Sequence, residues 1–402
     1  MQADSAERGD AGHGTSRQGT AVIVGSPQAS TRFLRARAQA QVLRQLIVEA
    51  APGAREARRR HIRFYHDMWR SAATDLGATV TPMGDGAIEI ALGALRLRVA
   101  GTHCSVDGPD VLGLAGDKPR VSRMLTGAGL PVPPHRVFSL DALDTALDLV
   151  ADTPGGCVVK PAQNTGGGRG VTTGIHDTDR LARAVPGAAA AGVRVMKPGH
   201  PLRRLPGMLR NLEQVPLLVE RQITGDNYRL LFLDGELIDA IRREPPSVIG
   251  DGHTDIAGLV SKHNDDRLRS PGHRAQSLVT IDLELTSTLR EQGLSLSVVP
   301  ALGTKVRLKT AVNETAPECN HPARDELCDA VVEQAARAAA VVGARLAGVD
   351  VITDDPRRAL SDSSGCILEV NTTPGLAMHR HGHPGAVDPA AAILHRLAAS
   401  TS

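Results

Sequence analysis

Hydrophobic and polar residues follow two different periods along this chain. Residues 32–75 carry apolar residues at helical spacing among many arginines and alanines. The segments "AIEIAL" (87–92) and "LRLRVA" (95–100) alternate apolar and polar side chains, which is typical of a β-hairpin that turns at Gly93. Shorter apolar runs bounded by glycine, proline or charged residues follow. The pattern predicts a mixed helix-and-sheet protein of the α+β class.

The middle of the chain predicts a capped helix and two strands around a glycine-rich loop. Asp117 is placed to cap a helix that begins at Pro119. The strands "CVVKP" (157–161) and "VTTGI" (171–175) flank the loop "AQNTGGGRG" (162–170). We therefore expect a hairpin whose tip consists mainly of glycine.

Three further elements are predicted in the second half. The pair Asp234-Gly235 between two apolar runs favours a hairpin with a two-residue turn. A helix rich in alanine and valine is expected over about 325–345. Two apolar strands follow at 347–353 and 366–371.

Length, charge and composition narrow the class of protein. A chain of 402 residues predicts two or three packed units. A formal net charge of +2 and only 2% aromatic residues argue against a nucleic-acid partner, because they supply neither a strong positive field nor many stacking platforms. No run of 18 apolar residues occurs, so we expect no membrane partner. Five scattered cysteines without a C-x-x-C pair predict reduced thiols and a cytoplasmic location.

Two strand ends supply candidate metal ligands. The strand "CILEVN" ends with Glu369 and Asn371, which lie two positions apart and therefore face the same side. If this strand pairs with the one that contains Asp350, three oxygen ligands converge. Hard oxygen ligands suit Mg²⁺, which takes its remaining ligands from water and phosphates. The alternative is an exposed strand end with ordinary turn residues.

The glycine-rich loop is a candidate phosphate site. Its glycines offer backbone N–H groups in conformations that other residues reach poorly. The loop matches neither G-x-x-x-x-G-K-[ST] nor G-x-G-x-x-G, so it is neither a P-loop nor a Rossmann fingerprint. The alternative is a plain flexible hairpin. The candidate residues are Gly166, Gly167, Gly168, Arg169 and Gly170.

Two of the six lysines lie beside these elements. Lys160 ends the strand before the loop, and Lys118 opens the capped helix, so each can neutralise a phosphate or form an ordinary salt bridge.

At another strand end, Glu220, Arg221 and Ile223 offer backbone groups that can pair with an adenine edge. An ordinary strand end is the alternative for that segment.

A group of basic residues lies on strand-like segments further along the chain. Basic side chains near a phosphate stabilise charge as it is transferred, whereas surface ion pairs are the alternative. These residues are Arg242, Arg243, Arg307 and Lys309.

Several motifs occur in one fixed order. They are "DK" before "GLPVP", "VVKP", the glycine-rich loop, "VER" before a glycine, "GVDV" and "ILEVN" before Pro-Gly. Together they resemble the ATP-grasp superfamily of carboxylate–amine ligases. Over roughly 114–395 the chain looks most like the ATP-grasp module of cyanophycin synthetases and bifunctional glutathione synthetases.

The resemblance implies an ATP-grasp fold, in which two α/β lobes clasp ATP, behind an N-terminal α/β domain. We expect four segments. They are a disordered leader at 1–20, the N-terminal domain at 21–113, a first lobe with the glycine-rich loop at 114–215, and a second lobe with the metal site at 216–402.

The resemblance also implies residue roles. Lys118, Lys160 and the glycine-rich loop would contact the phosphates, and the 220–223 segment would hold adenine. The acyl-phosphate side would be lined by Arg242, Arg243, Lys309 and Asn313. Asp350, Glu369 and Asn371 would hold Mg²⁺, with Mn²⁺ as an alternative. Relatives carry an acid at the ribose position; here Asn227 stands there with Asp226 before it, so both are candidates.

The implied activity is ATP-dependent joining of a carboxylate to an amine through an acyl phosphate, which releases ADP and phosphate. The halves that accompany this module in the two synthetases are missing, which favours a standalone ligase that makes a dipeptide from small-molecule substrates, with a glutamyl group as one candidate donor. The alternatives are a non-catalytic ATP-binding regulatory protein and a ligase that modifies a peptide terminus. A homo-oligomer is compatible with the sequence, which leaves the oligomeric state open.

Overall fold

A computed structural model describes residues 27–50, 52–163, 165–193, 201–269, 278–312, 319–380 and 387–400. The predicted leader at 1–20 and the candidate residue Asn313 lie outside these ranges. In the described part of the chain, no helix is long and apolar enough to cross a membrane.

The first part of the chain forms two long helices and a small antiparallel sheet. The strands follow one another in the order β1-β2-β3-β4, and the predicted hairpin turn at Gly93 is confirmed by a φ of 56°. The elements are α1 (Pro27–Ala50), α2 (Pro52–Asp75), β1 (Thr79–Pro82), β2 (Ile88–Leu92), β3 (Leu95–Ala100) and β4 (His103–Cys104).

A second antiparallel sheet has the strand order β5-β8-β6-β7. Asp117 caps α4 as expected, since its side chain accepts a hydrogen bond from the Arg120 N–H; the helix starts at Lys118, one residue before the predicted Pro119. The elements are α3 (Pro109–Ala115), α4 (Lys118–Gly127), β5 (His135–Phe138), α5 (Asp144–Ala151), β6 (Cys157–Pro161), β7 (Thr172–Ile175), α6 (Thr178–Val193), α7 (Pro201–Arg210), a 3₁₀ turn (Asn211–Gln214) and β8 (Leu217–Arg221).

The remaining elements build a five-stranded antiparallel sheet of order β13-β10-β9-β14-β15 and a two-stranded sheet β11-β12. The elements are β9 (Asp226–Leu233), β10 (Glu236–Arg243), β11 (Ser247–Ile249), α8 (Ile256–Arg269), α9 (Leu283–Glu291), β12 (Lys305–Arg307), β13 (Asn320–Pro322), α10 (Asp329–Val342), β14 (Leu346–Thr353), β15 (Cys366–Asn371) and α11 (Pro389–Ser400), with 3₁₀ turns at Arg324–Glu326, Leu360–Asp362 and Leu376–His379.

Local sequence explains the boundaries of these elements. The predicted Asp234-Gly235 turn joins β9 to β10 with φ values of 52° and 82°, as a tight hairpin turn requires. The predicted helix at 325–345 is shorter than expected. It ends at Val342 because Gly343 adopts the left-handed conformation, φ 76°, that closes many helices.

Both faces of the five-stranded sheet are covered by other elements, and the candidate site lies on one of them. On one face, Leu230 and Phe232 pack against α10 together with residues of α4. On the other face, Leu231, Leu233 and Leu346 pack against the first sheet and α2. On that second face, the polar residues Arg229, Asp350 and Glu369 are cross-strand neighbours on β9, β14 and β15.

The N-terminal elements contribute to more than one core. Leu34, Ala38 and Val42 of α1 pack with α6 and the β5-β8-β6-β7 sheet, whereas Met68 and Trp69 of α2 pack with the first sheet. A separate small core lies under β11, β12, α8 and α9. The domain limits at 113 and 215 stay predictions.

Candidate nucleotide and metal site

A cleft lies between the β5-β8-β6-β7 sheet and the five-stranded sheet. Its lining includes residues of α4, β6, β8 and β15, among them two lysines and two glutamates. These are Lys118, Lys160, Glu220 and Glu369. Residues far apart in sequence, all selected above from their motifs, therefore meet in one place.

The expected pairing of the two strands that carry the metal candidates is confirmed. β14 and β15 are antiparallel neighbours, and Asp350 stands directly opposite Glu369. The Nδ2 atom of Asn371 lies 3.5 Å from Oδ2 of Asp350. In the described chain, no group of three or more His, Cys, Asp or Glu side chains converges in a metal-binding arrangement. This cluster instead consists of two carboxylates and one amide.

Asp350 is the most enclosed member of this cluster. It is 6% exposed, and its carboxylate accepts hydrogen bonds from Arg229, through Nε and through Nη2 at 2.7 Å, and from Nη2 of Arg243 at 2.9 Å. Burial alone would raise the pKa of Asp350, but the two guanidinium groups outweigh it and hold this pKa below its usual range. Asp350 is therefore an anion held between two permanent cations.

Arg229 is a site residue that the sequence reasoning missed. It lies in the apolar strand β9, where a charged residue among leucines was the available signal. Its side chain reaches the same face as Asp350, because the two residues are cross-strand partners. A buried arginine at that position has to be paired, and the structure pairs it with Asp350.

Both candidate lysines are held by carboxylates inside the cleft. Nζ of Lys118 lies 3.1 Å from Oε1 of Glu369 and 3.2 Å from the Thr165 carbonyl oxygen, which belongs to the glycine-rich loop. Nζ of Lys160 lies 2.5 Å from Oε1 of Glu220. Each lysine therefore forms the salt bridge given above as the alternative, and both ammonium groups lie inside the cleft.

The glycine-rich loop joins β6 to β7 as a hairpin tip, as predicted. Gly167, Gly168 and Gly170 have φ values of 65°, 66° and 73°, which other residues rarely adopt. A Cβ on Gly170 would lie 2.7 Å from Cβ of Ala191 on α6, so this glycine also allows a close packing contact. Gly166 and Arg169 are exposed at the tip.

The adenine and ribose candidates lie where β8 ends and β9 begins. Glu220 is buried, Arg221 is exposed and Ile223 is half-buried. Asn227 is buried, and its Oδ1 accepts hydrogen bonds from Nε and Nη2 of Arg243 at 2.8 and 2.5 Å, whereas Asp226 is exposed. Asn227 therefore holds Arg243 against Asp350, and the ribose contact stays a prediction for both residues.

Only one of the four basic candidates contacts the cluster of metal-ligand candidates, Asp350, Glu369 and Asn371. Arg243 does so, whereas Arg242 pairs with Glu244 and Glu326, and Lys309 lies 2.6 Å from Oδ2 of Asp282. Arg307 is exposed on β12. Surface ion pairing, the alternative given above, describes Arg242 in this structure.

The two sheets around a cleft that carries these lysines and carboxylates define an ATP-grasp fold. No protein-family model matches the chain. Sequence comparison does find relatives. The chain is 30% identical over 295 residues to cyanophycin synthetase of Trichormus variabilis, and the matched residues cover 73% of this chain and 30% of that protein. It is also 30% identical over 175 residues to the bifunctional glutathione biosynthesis protein GshAB of Clostridium perfringens, covering 43% of this chain and 22% of that protein.

The expected relationship to both groups of synthetases is thus confirmed, and the chain spans less than a third of the length of these relatives. Among solved structures, the bifunctional glutathione synthetase of Pasteurella multocida is similar with a TM-score of 0.49 and 22% identity, over 82% of this chain and 44% of that one.

Proposed function

We propose that the protein is an ATP-dependent ligase that joins a carboxylate to an amine through an acyl phosphate and releases ADP and phosphate. One observation carries the proposal. Asp350, Glu369 and Asn371 lie together at one edge of a sheet, and Lys118 and Lys160 face the same cleft. That combination suits a nucleotide triphosphate with a divalent cation.

The donor atoms fit Mg²⁺. Two carboxylates offer hard oxygen ligands, and rotation of the Asn371 amide by half a turn would present Oδ1 in place of Nδ2 toward Asp350. Asp350, Glu369 and Asn371 would hold the ion. When bound, Mg²⁺ or Mn²⁺ would neutralise and orient phosphate oxygens.

The charge balance of the cleft favours an anionic ligand. Four cationic side chains, those of Lys118, Lys160, Arg229 and Arg243, are paired with three carboxylates, those of Glu220, Asp350 and Glu369. The low exposure of these pairs strengthens their electrostatic interactions relative to those in water. A ligand with net negative charge would therefore gain the excess cation as a partner.

The protein's own groups would act by positioning and by charge stabilisation. Lys118 and Lys160 would leave their glutamate partners and bind phosphate oxygens, and the backbone N–H groups of the glycine-rich loop would cover them. Arg243, fixed by Asn227, would stabilise the charge on the transferred phosphoryl group. No protein acid or base is required, because phosphoryl transfer depends on positioning and electrostatics.

The adenine and acyl-phosphate contacts belong to the proposal as well. The 220–223 segment would hold the adenine edge through backbone groups, and Asp226 or Asn227 the ribose. Arg242, Arg307, Lys309 and Asn313 would line the side on which the carboxylate is activated.

The substrates we propose are two small molecules: an acid, with a glutamyl group as one candidate donor, and an amine that is itself an amino acid. The names of the sequence relatives, a cyanophycin synthetase and a glutathione biosynthesis protein, support an amino-acid substrate. A cytoplasmic location is part of this proposal.

The proposal is tested by identifying the nucleotide that the protein releases from ATP. The protein would be incubated with Mg²⁺, ATP and pairs of amino acids, and the nucleotides and condensation products would be identified by mass spectrometry. We expect ADP together with a product that has lost one water relative to its two substrates. AMP with pyrophosphate would refute the acyl-phosphate route, and nucleotide binding without turnover on any amino acid or peptide would favour the regulatory alternative.

A further inference from the structure

A buried carboxylate that is not one of the proposed metal ligands links two parts of the proposed site. Glu284, in the first turn of α9, is 3% exposed. Its Oε2 accepts a hydrogen bond from the Thr173 N–H at 2.7 Å, and its Oε1 accepts one from the Thr173 hydroxyl, also at 2.7 Å. Oε1 also accepts from the backbone N–H groups of Thr310 at 3.3 Å and Ala311 at 3.1 Å.

The four donors belong to two distant segments of the chain. Thr173 lies in β7, the strand that returns from the glycine-rich loop three residues after Gly170. Thr310 and Ala311 directly follow Lys309, a candidate for the acyl-phosphate side. One side chain therefore connects the strand behind the phosphate-covering loop to the segment that carries this lysine.

The same helical turn also holds the lysine itself. Asp282 caps α9 by accepting a hydrogen bond from the Leu285 N–H through Oδ1, and its Oδ2 lies 2.6 Å from Nζ of Lys309. Carboxylates are favoured at this end of a helix by the helix dipole. Asp282 and Glu284 thus fix Lys309 and the two residues after it to one rigid turn.

A glutamine could not reproduce this arrangement. A carboxylate accepts hydrogen bonds at both oxygens, whereas an amide offers one acceptor oxygen and an NH₂ group that would face N–H donors. Either orientation of the amide would leave donors on one of the two segments without an acceptor. Such buried donors are costly, so that segment would move away.

We propose that Glu284 is a positioning residue that couples the covering of the nucleotide by the glycine-rich loop to the placement of Lys309 and the residues after it. Glu284 touches neither nucleotide nor substrate in this role. A shift of β7 when the loop folds over phosphates is transmitted through the carboxylate to the 309–311 segment. The inference rests on the proposed function and assigns a mechanical connection within that site.

The experiment compares the wild-type protein with Glu284→Gln, using Glu291→Gln as the matched control. Glu291 lies on the same helix, and its ion pair with Arg180 is more exposed and does not involve the 309–311 segment. Amide hydrogen exchange is followed in peptides that cover 165–175 and 305–312, with and without Mg²⁺ and the non-hydrolysable analogue AMP-PNP. ADP release and AMP-PNP affinity are measured in parallel.

In the wild type and the control, we expect AMP-PNP to slow exchange in both peptides. In Glu284→Gln, protection of 165–175 persists but the response of 305–312 is lost. The AMP-PNP affinity should stay within about threefold, while kcat falls by roughly 10- to 100-fold, as misplacement of a reacting group by about 1 Å would produce. A structural role alone would not separate kcat from nucleotide affinity in this way.

A milder variant guards against failure to fold. Thr173→Val removes only the hydroxyl donor and should reduce the nucleotide response of 305–312 partially. An unchanged response of 305–312 in Glu284→Gln would overturn the coupling. If AMP-PNP protects the wild-type protein but no ADP is released, the ligase proposal is refuted, and the exchange comparison still tests the coupling. If AMP-PNP has no effect on exchange in the wild type, both proposals are refuted.

Discussion

Replacing Asp350 by asparagine tests both the fold and the proposed metal site. Asp350 is 6% exposed, and its carboxylate lies between the guanidinium groups of Arg229 and Arg243. Asparagine has nearly the same size, so the substitution removes charge and one acceptor oxygen with little change in packing. Two buried arginines would then share a neutral amide in place of a carboxylate.

The expected loss of stability is large. Removing one partner from a buried ion pair costs about 3–5 kcal/mol, because the remaining charge is left without compensation. The asparagine oxygen still accepts one hydrogen bond, so we expect the lower end, about 3 kcal/mol. Globular proteins have a free energy of unfolding of about 5–15 kcal/mol, so a loss of this size is readily measured by urea unfolding without nucleotide.

A second variant tests whether the loss of stability comes from the ion pair itself. Arg243→Met removes one of the two cations, and combining it with Asp350→Asn should cost less than the sum of the single changes, by about 1–3 kcal/mol. Activity should stay lost in the double variant, because it lacks both the proposed metal ligand Asp350 and the arginine proposed to stabilise the transferred phosphoryl group. An Asp350→Asn protein within about 1 kcal/mol of the wild type would refute the buried-pair reasoning, because that value is typical of a solvated surface pair.

Three further predictions concern other parts of the chain. Glu369→Gln should lower ADP release at least 100-fold with an unchanged circular dichroism spectrum; near-native turnover would remove Glu369 from the metal site. Gly225→Ala should destabilise the protein by about 2 kcal/mol or more in urea, because φ is 136° and a Cβ would lie 2.4 Å from neighbouring backbone atoms, whereas Gly84→Ala, with open space around it, should be near neutral. Among the five cysteines, Cys328 should react first with a thiol reagent, since it alone is not buried, while burial raises the pKa of Cys104 to about 12; equal reactivity of the two in the native protein would contradict the described burial.

Several elements of the site could be predicted because they depend on neighbours in sequence. Alternation along a strand puts Glu369 and Asn371 on the same side whatever surrounds them. Asp117 caps a helix through a contact three residues away, and Asp234-Gly235 turns a hairpin by its own backbone preferences.

Other features were missed because they depend on partners outside their own segment of the chain. Arg229 looks like an interruption of an apolar strand until the pairing of β9 with β14 sets it against Asp350. The Glu284 contacts with Thr173 and Thr310 have no local signature, since each joins segments that the chain alone leaves far apart.

The sequence by itself determined the class of the fold and the chemical types that a nucleotide site needs, because hydrophobic periodicity and turn chemistry act over a few residues. Tertiary structure decided the partners. It enclosed Asp350 between two arginines, committed Asn227 to Arg243 and paired both lysines with glutamates. The physical reason is burial: once these charges leave water, each must find a counter-charge or hydrogen bond, and only the packing of the sheets determines which one is within reach.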